Sequence, residues 1–409
     1  MNLVSAFAAV RPADKYSTDV IAPPYDVLDN AEAKICVNNK PHSFLHISKA
    51  QIDLPDDTDP YADIVYQKAY DNLSVMLKTG VLKQDQKPLY YAYRITFNGV
   101  PQTGLVAGSS IAEYDKNRIR KHEYTRPVKE NDRIKQINKL NMQTGPVLLT
   151  YNNSPQIDKI LKHATDQKPQ QSCLADDGIL HEIWLIDNDE TIKNITQIFN
   201  EMKAIYIADG HHRSAAASKV NKLRQKNNQS TEFSQYFLSV IFPSHQMKIL
   251  PYNRVIKDLN ALKVDELLQK IDKNFKIKKS FDAVHPQKNG QFGMYVDKNW
   301  YQLDIKPRLI PQNNPVAKLD VSLLADKLIE PFLGISDSRT DDRIDFVGGI
   351  RGLTELEKKV DTGDFAIAFS MFATSIDELI SVADDNQVMP PKSTWFEPKL
   401  ADGLFSLTF

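Results

Sequence analysis

Cysteine is almost missing from this chain of 409 residues: Cys36 and Cys173 are the only two. Two cysteines give neither a disulfide framework nor a metal-ligand spacing, and this fits a reducing compartment. Charge of one sign is missing as well. The 51 basic and 52 acidic residues leave a formal net charge of −1, so bulk electrostatics offer nothing to nucleic acid or to an anionic membrane. No apolar run approaches the ~18 residues that span a bilayer. The N-terminal stretch MNLVSAFAAVRP has no basic residue ahead of its short apolar run and does not read as a signal peptide. A cytoplasmic protein without membrane or nucleic-acid partners is therefore expected. Walker A, G-x-G-x-x-G, G-x-S-x-G, protein-kinase and zinc signatures are all absent, which removes the most readily recognised enzyme classes.

What is present is a globular composition, 42% hydrophobic and 25% charged. The length exceeds one ordinary core, so two or three domains are expected. Helical spacing of apolar residues predicts helices at 61–79, at 126–141 with Thr125 as N-cap, at 189–202 with Asp189 as cap, at 264–275 and at 320–329. Ser375 and Glu378 form a capping box for a helix at 375–383. Strands are predicted at 88–97, 103–114, 146–151, 182–187, 204–208, 236–242, 247–250 and 364–369, with a hairpin around Asp297-Lys298-Asn299. The pair 236–242 and 247–250 reads as neighbouring strands. Strand, helix, strand, helix from 182 onward is βαβ-like. The expected fold class is a mixture of α+β and α/β, divided into an N-terminal domain 1–258 and a C-terminal domain 259–409 whose last segment returns to the site.

The strongest chemical signal is AIYIADGHHRSAAASKV (204–220). A buried strand ends in Asp209-Gly210, and a small-residue helix starts near His211. A helix start presents free N–H groups and the positive end of its dipole, which favour phosphate. Gly210 permits the sharp turn. Arg213 can fork onto two phosphate oxygens, and His211 and His212 can donate to phosphate or move a proton. Asp209 can cap the helix, bind Mg²⁺ or orient a nucleophile. Three cationic side chains oppose a helix N-terminal dipole, and they make more sense there if an anion arrives.

The second signal is RIRKHEYTRPVKENDR (118–133), a basic surplus in a neutral protein. It could hold a nucleotide polyphosphate through Lys129 and Arg133, and Glu123 could act as a general base beside His122. A solvated charged face is the plainer alternative. Tyr25-Asp26 in APPYDV (22–27) reads as a stiff turn. MPPKSTWFEPKLADGLF (389–405) offers Lys392, Ser393, Thr394 and Lys399 without the glycines of a P-loop; packing of Trp395 and Phe396 explains it equally simply. SDSRTDDRIDFVGGIRG (336–352) reads either as a ligand loop or as a loop of internal ion pairs.

Four motifs in order, IAPPYDVLD, RKHEYTRPVKENDR, IADGHHRSAAA and MPPKSTWFEPKLADGL, resemble the family called domain of unknown function 1015 over nearly the whole chain. The Asp-Gly-His-His-Arg turn alone is similar to that of the ParB/sulfiredoxin superfamily, whose corresponding turn binds nucleotide phosphates. One branch of that superfamily, the free-serine kinases, carries the same turn and an upstream glutamate base. The resemblance implies a nucleotide-dependent phosphotransferase with ATP or ADP and Mg²⁺, acting on a small hydroxyl-bearing metabolite, with free L-serine as the first to test. It assigns Glu123 as base, Asp209 as orienting group or metal ligand, and Gly210, His211, His212 and Arg213 as phosphate cradle. Lys129, Arg133 and Lys392 would be outer contacts. Sulfiredoxin chemistry is not expected, because His211 stands where that branch has its cysteine. The alternatives are a metal-dependent hydrolase using His122, Glu123, Asp209, His211 and His212, and a nucleotide-binding regulator without turnover. A homo-oligomer is compatible with either.

Overall fold

The computed structural model describes residues 2–409, so that Met1 lies outside the described residues. It is a mixed α+β protein with two compact units. One unit is built from the chain up to Met247 together with Pro398–Phe409; the other is Lys248–Glu397. The division comes ahead of the expected 258 because strand Tyr252–Ile256 pairs antiparallel with both Ile344–Gly348 and Ile367–Ser370, inside the second unit's sheet. The end of the chain leaves the expected C-terminal domain because Leu407–Thr408 pairs with Met142–Gln143 and Ala22 exchanges backbone hydrogen bonds with Asp402.

The first unit is organised by a nine-stranded mixed sheet. Its centre is Tyr90–Phe97, Val100–Ser110, Tyr236–Pro243 and Val147–Tyr151, whose side chains are buried on both faces over long stretches. Helices Pro155–Thr165 and Asp189–Glu201 pack onto it through Ile157, Leu161, Ile195 and Phe199. A separate helical core forms around Asp63–Lys78, with Val20, Phe44, Leu45, Ala69 and Leu73. The β-α-β order is present, but Leu180–Ile186 and Ile205–Asp209 are not neighbours. The latter lies between Val147–Tyr151, antiparallel, and Ile119–Arg120, parallel. Among the described residues no helix is long and apolar enough to cross a membrane.

Two expected caps shift by one residue. Asn188, extended at φ −77°, accepts from the Thr191 N–H, so Asp189 is already helical. Pro127 takes the first helical position of Pro127–Leu140 and leaves Arg126 as N-cap. Thr125 is then one residue too early, and its hydroxyl donates to Glu130 Oε2 at 2.8 Å. That helix ends on Asn141 in the left-handed region, φ 52°.

The second unit is a six-stranded antiparallel sheet with the expected hairpin Gln291–Val296 and Asn299–Ile305. Strand Ile249–Leu250 pairs with Trp395–Phe396 and not with Tyr236–Pro243. The expected helix 320–329 is α-helical over Asp320–Leu324 and widens into a π-helix over Ala325–Leu333, which accommodates Pro331. The acidic loop 336–352 closes on itself, Arg339 pairing with Asp337 at 2.7 Å and Arg343 with Asp341 at 2.8 Å.

Asp320 is 7% exposed and accepts the Gly290 N–H at 2.7 Å through Oδ1, while Oδ2 has no partner. Burial, aided by Glu378, lifts its carboxyl to about 7 against the pull of that N–H. A carboxyl raised in the folded state leaves stability intact below the unfolded value, near 4, and removes it as pH climbs through 7. At about 1.4 kcal/mol per unit, the loss is on the order of 4 kcal/mol. Asp320→Asn should therefore raise the melting temperature at pH 8 and change it little at pH 4.5, measured by calorimetry. Equal shifts at both pH values would contradict the assignment.

Candidate active site

The expected turn lies in the first unit, where strand Ile205–Asp209 passes into helix His211–Lys226. Gly210 is the N-cap with φ 97°, and a Cβ there would stand 3.3 Å from Val147 Cα. Both conformation and space therefore require glycine. The helix after it buries Ser214, Ala216, Ala217 and Ser218. Its Ala216 and Val220 pack with Ile137 of Pro127–Leu140. Small side chains thus bring the second signal's helix close to the turn.

Strand register brings Glu123 there. Ile119 and Arg120 pair in parallel with Ile205 and Tyr206, so residues 121–123 leave the sheet beside 207–209. Glu123 Oε2 ends 3.7 Å from His211 Nδ1, its side chain half exposed while that of His211 is buried. The backbone N–H of His122 points at His211 Nε2 at 3.4 Å. That contact makes Nε2 the acceptor and places the neutral ring's proton on Nδ1, facing the carboxylate. Burial, then neighbouring His122, keeps His211 well below its ordinary value, so it is neutral. Burial likewise lowers His122 to about 4, and the two rings meet edge to face at 4.5 Å.

Asp209 has a different environment. Its Oδ1 accepts from the Gly210 N–H and its Oδ2 from Lys399 Nζ, both at 2.8 Å. Burial raises its carboxyl, but Lys399 and then Arg213 outweigh this and hold it near 2. The side chain keeps 48% of its surface open, so it faces the site as a fixed negative charge. Each oxygen thus accepts one hydrogen bond, and Mg²⁺ at Asp209 would stand beside the Lys399 ammonium.

Behind the turn lies a layer of buried charge. Arg213 donates to the Pro146 carbonyl at 2.8 Å and stands 3.8 Å from Asp26. A Cβ on Gly145 would meet both Arg213 Cζ at 3.2 Å and Asp402 Oδ1 at 3.0 Å. Only glycine lets these two side chains converge. Tyr25 has Arg133 at 3.8 Å and Arg213 at 5.5 Å from its ring centre. Arg133 is tied to Asp132 at 2.7 Å, and Asp132 accepts from the Tyr66 hydroxyl at 2.8 Å. Lys49 donates to the carbonyls of Tyr25 and Leu28, fixing the loop that carries Tyr25 and Asp26.

The structure thus brings together Glu123, Asp209, Gly210, His211, His212, Arg213 and Arg133. His212 Nδ1 faces the Arg126 N–H at 3.3 Å. Lys129 is exposed on the first turn of Pro127–Leu140. Lys392 belongs to the second unit, where its ammonium stands over the Tyr252 ring. The motif 389–405 offers Lys399 only as one member of an anion-contacting loop and gives Asp402 no role. Their signal was inclusion in that shared motif, since nothing in local spacing says that 398–409 folds back. The atoms best placed for a metal belong to His122, Glu123 and His211, all within 4.8 Å of one another.

The family model described as "Protein of unknown function (DUF1015)" matches residues 4–322. Similar solved structures include a free serine kinase in complex with AMP, 12% identical, TM-score 0.35, covering 72% of this chain and 86% of that one. A conserved hypothetical protein from Pyrococcus furiosus is 14% identical, TM-score 0.35, covering 74% and 94%. SbnI with a C-terminal truncation, from Staphylococcus aureus, is 10% identical, TM-score 0.38, covering 72% and 84%. No curated protein matches the chain.

Proposed function

We propose that this chain, which belongs to the DUF1015 family, is a nucleotide-dependent phosphotransferase that moves a phosphoryl group from ATP or ADP to the hydroxyl of a small metabolite. Free L-serine is the first acceptor to test. The observation that carries the reading is Glu123 at the Asp-Gly-His-His-Arg turn, 3.7 Å from His211. A helix start for phosphate and a carboxylate for the acceptor hydroxyl then share one site.

Of the two acids, Glu123 suits the base. It faces a neutral ring, whereas Asp209 is locked on Lys399 and stays ionised near pH 2. Glu123 takes the hydroxyl proton as that oxygen attacks the terminal phosphorus, and the bond from phosphorus to the departing nucleotide oxygen breaks. Such a transfer depends mainly on positioning and on neutralising spread charge. The first N–H groups of His211–Lys226, with Arg213, receive the phosphates; Arg133, Lys129 and His212 add positive or donor character around them. Asp209 and Lys399 fix the acceptor's orientation as a rigid pair.

Mass spectrometry of the full chain with ATP or ADP, with and without Mg²⁺, over a panel of hydroxy compounds should find a phosphorylated acceptor. Saturating nucleotide at 100 times its Kd should stabilise the fold by about 2.7 kcal/mol. Stabilisation without product over the whole panel would favour a regulator. No stabilisation by ATP, ADP, CTP or pyrophosphate would sink the reading.

One observation favours a metal-dependent hydrolase instead. No side chain hydrogen-bonds to the ring of buried His122, and its neighbours Glu123 and His211 complete a three-ligand group. Against it, the proton on His211 Nδ1 occupies the nitrogen nearest Glu123. Stoichiometric zinc, iron or manganese in the purified protein would overturn the kinase reading.

A further inference from the structure

The second unit holds a cation that nothing in it neutralises. Arg254, on strand Tyr252–Ile256, is 5% exposed. Its guanidinium donates to two carbonyls, that of Tyr252 and that of Lys392, the latter at 3.0 Å. Its carbon lies 5.4 Å from the Phe346 ring centre. Two of five N–H donors are thereby used, and three remain. No carboxylate pairs with it among the described residues, and burial lowers its pKa to about 10. A buried charge without a counter-charge is costly, so such groups ordinarily have an anionic partner.

The residue whose carbonyl Arg254 holds is itself a cation. Lys392 adopts φ 58°, a left-handed conformation uncommon for lysine. The turn is fixed by its own carbonyl on Arg254, by the Thr374 hydroxyl donating to the Ser393 carbonyl at 2.8 Å, and by the Ser393 hydroxyl donating to the Pro390 carbonyl at 2.6 Å. The result directs the exposed Lys392 ammonium over the Tyr252 ring, 5.2 Å from its centre, and the edge of Trp395 meets that ring at 5.2 Å. The left-handed backbone thus gives its carbonyl to Arg254 while its ammonium stands over Tyr252, whose ring lies 6.0 Å from the Phe346 ring under Arg254.

We propose that the second unit carries its own oxyanion site, in which Arg254 at the buried end and Lys392 at the exposed end bind a phosphoryl or carboxylate group of a small metabolite beside Tyr252 and Trp395. The site is built from residues of the second unit alone, and the proposal does not rest on the function proposed for the first. Both cations make charge-assisted hydrogen bonds to the same group, and the aromatic rings accommodate the rest of the molecule.

The test is isothermal titration of the full chain with inorganic phosphate, pyrophosphate and succinate at constant ionic strength. Lys399→Gln is included to weaken anion binding at the first unit's turn. This variant should still bind one equivalent of at least one of the three anions. Adding Lys392→Gln, an exposed change, should weaken that binding at least about tenfold, as expected for a lost charge-assisted contact, with the melting temperature unchanged. Phosphate or pyrophosphate binding without succinate binding identifies a phosphoryl ligand, and the reverse identifies a carboxylate. No binding to the Lys399→Gln protein, or binding that Lys392→Gln leaves unchanged, would overturn the proposal.

Discussion

Glu123→Gln should lower kcat for phosphoryl transfer by about 10²- to 10⁴-fold, the usual range for removing a general base. The KM for nucleotide should stay nearly constant, because the proposed role of Glu123 is toward the acceptor and not the phosphates. Stability should hardly change. The side chain is half exposed and His211 already has its proton and its backbone partner, so the change resembles a surface substitution, within about 0.5 kcal/mol. The amide matches the carboxylate in size, so lost rate with retained melting temperature reports lost basicity and not lost packing. Asp209→Asn is the control with a different signature. It removes the charge that holds Lys399, so KM and kcat should both move. If Glu123→Gln retains full turnover in steady-state assays, the assignment of the base is wrong.

Arg213→Met should produce the largest loss of stability. Arg213 has 16% of its side chain exposed and stands among Asp26, Asp402 and the Pro146 carbonyl. Burial disfavours its charge, yet Asp402, then Asp26, hold it above its ordinary value. Arg213 and Asp402 interact through their charges without a direct hydrogen bond, so the cost should reach at most the about 3–5 kcal/mol of a broken buried pair, or roughly 10 °C in melting temperature at this size. The cost comes from Asp402, which is 1% exposed with Oδ1 already unpartnered. Asp402→Asn in the same background should therefore recover most of the loss.

The pH dependence follows from the same carboxyl. Burial raises Asp402 to about 6 even with Arg213 in place. Without Arg213 the carboxyl rises further, so stability is kept at low pH and lost as pH climbs through the folded value. The deficit of Arg213→Met should be small at pH 5 and large at pH 8 in thermal melts. A deficit independent of pH, or one that Asp402→Asn leaves untouched, would show that lost packing and not unpaired charge is responsible.

The turn was legible in the sequence because its chemistry is contiguous. Strand, acid, glycine and cations follow one another from 205 to 213, and a local pattern reports them. Glu123 was legible as a residue but not as a neighbour, since its place depends on the parallel pairing of Ile119–Arg120 with Ile205–Tyr206, which spacing does not encode. The βαβ-like order suggested adjacent strands, whereas Val147–Tyr151 and Ile119–Arg120 flank Ile205–Asp209. Asn188 and Arg126 replaced the expected caps because cap position is decided by the residue whose backbone is extended, and Pro127 moved that point by one. Asp402 was invisible. A buried aspartate and an exposed one look alike until the chain that surrounds them is placed.

The C-terminal return has a consequence for synthesis. The first unit's fold is interrupted at Met247 and completed only by Pro398–Phe409. Lys399 and Asp402, which flank the turn's charges, are therefore made only after the whole of the second unit. Domains generally fold as units while the chain emerges. Here the sheet and helix His211–Lys226 can form early, but their charge balance waits for residues 398–409. Until then Asp209 has no lysine and Arg213 lacks its buried aspartate, so the growing chain carries an unfinished and unselective site.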